Sequence, residues 1–138
     1  MRLTGNIPIG ASATKSIEVT RDLTVAHFHE GLPEVYGTPI MIYHMEVAAA
    51  QAIQPYLPAG WASVGVGINV KHLAATPVGF TVTVTATVTA VSDNTVTFAV
   101  AAHDGVEPIG EGTHMRAPIE LARFEKGVQT KSLRGGAR

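Results

Sequence analysis

Residues 38–53 read Thr-Pro-Ile-Met-Ile-Tyr-His-Met-Glu-Val-Ala-Ala-Ala-Gln-Ala-Ile, a helix-length stretch that is apolar on nearly every side. A helix of that composition belongs inside a core, so the rest of the chain must wrap round it. Only His44, Glu46 and Gln51 interrupt the apolar surface. Thr38 suits the N-cap and Pro39 the first helical position, where a missing N–H costs nothing. Pro55, Pro58 and Gly60 stop the helix at about Gln54.

Past that point the hydrophobic period drops from 3.6 to 2. Residues 62–73 carry Val64, Val66, Ile68 and Val70 on one face. Residues 80–91 alternate Val with Thr, Val96, Phe98 and Val100 mark a further strand, and residues 109–119 mark a last one. Ser92-Asp93-Asn94 and Asp104-Gly105 have the chemistry of hairpin turns. Upstream, residues 16–20 alternate weakly and read as a first strand, and residues 21–37 as an irregular lead into the helix. The expected class is α+β: an antiparallel sheet wrapped round one long central helix.

The 138 residues suit a single domain spanning 1–138, with 46% hydrophobic residues to build a core and 15% charged. A net charge of −1 gives no basic field for nucleic acid. There is no cysteine, which removes disulfides, thiolate catalysis and cysteine-ligated zinc. No apolar run approaches the roughly 20 residues of a membrane span, and the start of the chain lacks the apolar stretch of a signal peptide. A cytoplasmic protein is expected by default. Residues 126–138 hold Lys126, Lys131, Arg134 and Arg138 with no acid and three glycines. They read as a flexible tail or, more sharply, as an electrostatic arm for a phosphate-bearing ligand.

The chemistry centres on Glu46. An ionised carboxylate among aliphatic side chains is costly unless it is paired, hydrogen-bonded or protonated. A backbone N–H or His44 would satisfy it structurally, and a reaction would use it. Read alone, Thr38 is a helix cap and His72 a strand histidine. No histidine pair has the spacing of a metal site and no metal is expected; Gly65 and Gly67 lie within a strand, so no dinucleotide fingerprint exists. Strand glycines do mark close approach of backbone to a ligand.

At residue level, Val35-Tyr36-Gly37-Thr38, Met45-Glu46, His72-Leu73-Ala74-Ala75-Thr76-Pro77, Gly79-Phe80-Thr81-Val82-Thr83-Val84, Ala102-His103-Asp104-Gly105 and Ile109-Gly110-Glu111-Gly112-Thr113-His114 together resemble the fluoroacetyl-CoA thioesterase family of hotdog proteins. The resemblance spans roughly residues 15–125, and its specificity lies in the spacing of Thr38, Glu46 and His72. It implies a hotdog fold, a catalytic set of Thr38, Glu46 and His72, an acyl site beside Gly65, and a matching arginine at Arg116. It also implies a homodimer, or a tetramer built from dimers, with the acyl-CoA site at the subunit interface. Coenzyme A would enter as part of the substrate, with no separate cofactor. One departure stands out. Two lid positions that hold phenylalanine in fluoroacetate-selective members hold His29 and Leu32 here. That bears on acyl selectivity and leaves the hydrolytic set untouched. Phe28, Leu32 and Tyr36 are expected to line the acyl pocket, and Arg116 and Arg123 either to meet CoA phosphates, as guanidinium geometry suits them, or to be exposed strand-face residues. The expected activity is hydrolysis of a short-chain acyl-CoA thioester. The rivals are an enoyl-CoA hydratase and a non-catalytic hotdog protein that binds an acyl-CoA or small hydrophobic acid. A helix-grip fold is set aside because Gly127, Gly135 and Gly136 interrupt the C-terminal helix it would need.

Overall fold

A computed structural model describes residues 3–136. Arg138 of the expected tail lies outside them. The sheet has five antiparallel strands: β1 (Ser12–Glu18), β2 (Trp61–His72), β3 (Thr81–Val91), β4 (Val96–His103) and β5 (Pro108–Glu120), in the spatial order β1-β3-β4-β5-β2. Three helices accompany it: α1, a single turn (Val25–Phe28), α2 (Thr38–Ile53) and α3 (Leu121–Arg134).

Alternation explains the sheet. On β3, Val82, Val84, Ala86 and Val88 are buried while the threonines between them turn outward. On the outer face Thr14 pairs with Thr85 and Ser16 with Thr83 across β1 and β3. The inner face receives α2. Its buried residues, Met41, His44, Met45, Ala48, Ala49, Ala52 and Ile53, follow a strict helical stripe. The alanines let the helix lie close to the strands, and Gly110 of β5 takes the two methionines. A Cβ there would stand 2.5 Å from Met41 Sδ.

Several boundaries differ from the sequence expectation. β1 starts at Ser12 rather than Ser16, because its inward positions are Ala13, Lys15 and Ile17 and the lysine breaks the apolar alternation. Residues 21–37 contain a 3-10 turn (Arg21–Leu23) and α1, tied down by isolated bridges from Thr24 to Tyr36 and from Val35 to Pro77. In β2 the register shifts between Gly65 and Gly67, so Val66 bulges out at 54% exposure instead of sharing one face with Val64, Ile68 and Val70. Nor is α2 buried on all sides: Tyr43 is 59% exposed.

The largest correction is at the C-terminus. Residues 121–134 form α3 straight through Gly127, where a flexible tail was expected. A mid-helix glycine costs only about 1 kcal/mol, and Gly135 ends the helix. α3 is amphipathic, but it is exposed along its whole length and leans on the end of β5. The element the sheet wraps is α2, so a helix-grip arrangement is excluded by position.

Candidate active site

The first turn of α2 and the last residue of β2 meet beside the 35–36 segment. Thr38 Oγ1 lies 2.7 Å from His72 Nδ1. Thr38 is not the N-cap expected of it. Gly37 holds that place and Thr38 is the first helical residue, which frees its hydroxyl for the imidazole. The pair lies at the mouth of an open cleft of about 380 Å³, walled by Val25, Val35, Tyr36 and the 73–75 segment. Burial pushes the His72 imidazole below its ordinary value, with the Ala74 backbone pulling the other way. Burial thus favours the neutral ring. Its Nε2 is buried and has no hydrogen-bond partner among the described residues.

Tyr36 sets the back wall. It is 1% exposed, its ring edge meets His72 at 6.4 Å, and its hydroxyl bonds His44 Nδ1 at 2.6 Å. Burial pushes the phenol up and the His44 imidazole down, the latter with help from the charge of Lys15. His44, one of the groups that might have satisfied Glu46, is thus committed to Tyr36. Phe28 and Leu32, expected in the acyl pocket, are 60% and 46% exposed and do not line this cleft in the single chain.

Glu46 is elsewhere. Eight residues of helix separate it from Thr38, a rise of about 12 Å. Gly65 and His72 are seven strand residues apart, about 23 Å. Within one chain, Glu46 therefore faces the middle of β2 instead of its end. A Cβ on Gly65 would stand 3.0 Å from Glu46 Oε1 and 3.2 Å from His114 Cε1, so the missing side chain is what admits the carboxylate. Opposite Gly65 in the ladder is Arg116. Arg116 was expected at CoA phosphates or on an exposed strand face; at 6% exposure it is not an exposed strand-face residue. Nε and Nη2 donate to Ser63 Oγ and Ser63 O at 2.8 and 2.7 Å, and Nη1 donates to His114 Nε2 at 3.2 Å. Burial lowers the guanidinium's proton affinity and the Glu46 charge restores part of it. Arg123 lies exposed on α3, not on a strand.

Sequence spacing does not single out His114, which the structure places on β5. It is 1% exposed, and its Nδ1 bonds Gly67 O at 2.7 Å. A carbonyl only accepts and a guanidinium only donates, so Nδ1 carries the hydrogen and Nε2 the lone pair. Burial, then the Arg116 charge, push the imidazole down against the Gly67 bond and the Glu46 charge. A signal for it existed: residues two apart on a strand share a face, so any role for Arg116 places His114 beside it. Among the described residues no group of three or more His, Asp or Glu side chains is arranged to hold a metal ion.

The comparisons with known proteins agree with this arrangement of elements. The profile of the fluoroacetyl-CoA-specific thioesterase family matches residues 19–122. The chain belongs to that family. The fluoroacetyl-CoA thioesterase of Streptantibioticus cattleyicolor is 41% identical over 133 residues, covering 92% of this chain and 96% of that one. A crystal structure of the fluoroacetyl-CoA thioesterase FlK superposes with a TM-score of 0.86 at 42% identity, covering 90% of this chain and 96% of that one. A Thermus thermophilus member of the thioesterase superfamily gives 0.88 at 30% identity over 96% and 98%. A hot-dog-like protein from Thermanaerovibrio acidaminovorans gives 0.86 at 29% over 95% and 97%. The fold is the hotdog fold.

Proposed function

We propose that this chain hydrolyses a short-chain acyl-CoA thioester to the free acid and coenzyme A, in a homodimer whose sites combine Thr38 and His72 of one subunit with Glu46, Gly65 and Arg116 of the other. The observation that carries the reading is the hydroxyl–imidazole contact at 2.7 Å in the cleft, in a chain of a thioesterase family. The split between subunits rests on the distance argument above, because one chain keeps its acid apart from its hydroxyl–imidazole pair.

The dimer is supported by β2. It lies at the sheet's edge and pairs only with β5. Twelve residues long, with Val66 and Ile68 exposed, it is the kind of edge that a second strand covers. Two copies joined antiparallel along β2 obey a twofold axis, so any group the first subunit lends the second is returned. Exposed Tyr43 on α2 would be covered by the same contact.

In this reading Thr38 donates its hydroxyl hydrogen to His72 Nδ1 and thereby fixes the imidazole with its hydrogen on Nε2. That N–H, buried and without a partner among the described residues, would be reached by the thioester carbonyl as substrate enters the cleft, in a bond that strengthens as the oxygen becomes an oxyanion, a task for a neutral imidazole. Glu46 takes a proton from water as the water oxygen attacks the carbonyl carbon. The C–S bond then breaks, and the proton passes from Glu46 to the departing sulfur. A CoA-type thiol has a pKa of about 8.5, like free cysteine, and leaves without strong acid help. Coenzyme A is part of the substrate and no cofactor is required. The protein would act in the cytoplasm, where CoA esters are made and used.

The same contact favours a second reading, in which His72 Nδ1 is the base and Thr38 the nucleophile of an acyl-enzyme. The test of both is thiol release from acetyl-, propionyl- and fluoroacetyl-CoA, with mass spectrometry of the quenched protein. Catalytic release without adduct supports water attack, and an acylated Thr38 supports the second reading. Binding of the esters with no thiol released over hours leaves a carrier. Water addition to an enoyl-CoA in place of thiol release identifies the hydratase.

A further inference from the structure

His114 and Arg116 form a bonded pair beside an acid, Glu46, that hydrogen-bonds to neither. All three guanidinium nitrogens of Arg116 have partners, two on Ser63 and one on His114, and Glu46 is none of them. Yet Glu46 stands against Gly65, the ladder partner of Arg116, and its charge acts on both Arg116 and His114. Left to itself, a buried guanidinium next to a carboxylate closes into a bidentate ion pair. Such a pair takes one lone pair from each carboxylate oxygen and stabilises the anion, which weakens it as a base. We propose that His114 is a positioning residue that restrains Arg116, so that Glu46 feels the guanidinium's charge while its oxygens stay free for proton transfer.

The restraint is well built for this. His114 Nε2 is the acceptor on the third side of the guanidinium, where Ser63 does not reach. The opposite nitrogen is tied to Gly67 O at the β2 bulge, which fixes the tautomer that makes Nε2 an acceptor. Phe98 stacks on the ring at 6.0 Å and holds its plane. This role rests on Glu46 serving as the base of the proposed hydrolysis. The structural half of the claim can be tested without turnover.

The variants are His114→Gln, whose amide oxygen can accept from Arg116 Nη1, and His114→Phe, which keeps the ring and removes the acceptor. For the Gln variant kcat should stay within about 3-fold of wild type, and for the Phe variant it should fall about 10-fold or more with KM within about 2-fold, the pattern of a group felt in the chemical step. The melting temperature of the Phe variant should not fall below that of the Gln variant, because a merely structural loss would lower it. A crystal structure of the Phe variant should show Arg116 within about 3 Å of Glu46. An unmoved Arg116, equal kcat in the two variants, or a kcat loss that follows the melting temperature overturns the inference. If wild-type protein releases no thiol at all, the proposed function fails. The position of Arg116 in the Phe variant then still decides the restraint.

Discussion

The two ends of the proposed site are built on opposite principles. The Thr38–His72 pair is sparsely bonded: one hydrogen bond joins it, Thr38 is solvent-exposed, and the buried His72 Nε2 has no partner among the described residues. The cluster round Glu46 is bonded internally: every nitrogen of the buried Arg116 and His114 is in a hydrogen bond, while Glu46 and Ser63 are half-buried and Gly65 is exposed in the single chain. The first has spare capacity to meet a substrate, and the second has rigidity to hold a charge at a set distance. Preorganised charge is worth most where water is excluded, and a proton-handling group works best where substrate can reach it.

The largest effect comes from deleting the groups that act. Glu46→Gln should leave the fold intact and lower turnover by at least about 100-fold, the usual share of a positioned base. His72→Ala should lose a similar amount, as removal of an oxyanion donor does elsewhere. Mixing the two inactive variants after unfolding and refolding separates one-chain from two-chain sites. If each site draws Glu46 from one subunit and His72 from the other, half the dimers are hybrids with one intact site of two, and activity returns to about a quarter of wild type. No recovery would place all three groups in one chain and end the two-subunit reading.

Next comes the hydroxyl. Thr38→Ser should retain most activity, and Thr38→Val should lose about 10-fold if the hydroxyl only fixes the His72 tautomer. A nucleophilic Thr38 makes the Val variant inert at the level of Glu46→Gln. Steady-state thiol release on the two variants tells the roles apart.

The third effect tests the Glu46 end alone. Gly65→Ala places a methyl 3.0 Å from Glu46 Oε1 and 3.2 Å from His114 Cε1. One of the two must give by a few tenths of an ångström. The expected outcome is a drop in kcat of about 10-fold, for misplacements of that order are felt at the reacting atoms. The melting temperature should change little, since strand positions gain from replacing glycine. Wild-type kcat in Gly65→Ala would mean that the carboxylate's position is not critical.

These regions were unequally legible. The inner strands and α2 announce themselves, because Val82, Val84 and Val88 alternate with threonine and Met41 to Ile53 repeat every three or four residues. Lys15 hid the start of β1 by facing inward. Gly127 hid α3, since a single glycine weakens a helix without forbidding it. At the site, Glu46 drew attention as a carboxylate among aliphatic side chains, and Thr38 and His72 joined it only through the family resemblance, which says where to look and not which residues touch. That Glu46 stands apart from Thr38 follows from eight residues of helical rise. That His114 and Arg116 bond each other required the strand to be placed first. The exchange of the cap from Thr38 to Gly37 turns on one residue of register, the least readable quantity in any sequence.

The smallest expected effect is on stability, and it asks which end is more sealed. His44, His72 and His114 all have imidazoles pushed below 6.5, burial being the first cause in each. Below pH 6.5 the unfolded chain takes up protons at these rings that the folded chain refuses, so stability is full above that value and falls as pH drops toward the folded-state values. The melting temperature should therefore decline from pH 7.5 to 5.5, by about 3 °C for each kcal/mol of linkage. His114 is 1% exposed and bordered by Arg116, while His72 borders an open cleft. His114→Gln should accordingly flatten the decline more than His72→Gln does. The reverse order, measured by calorimetry at four or five pH values, would show the Thr38–His72 end to be the more tightly sealed and would invert the contrast between the two ends.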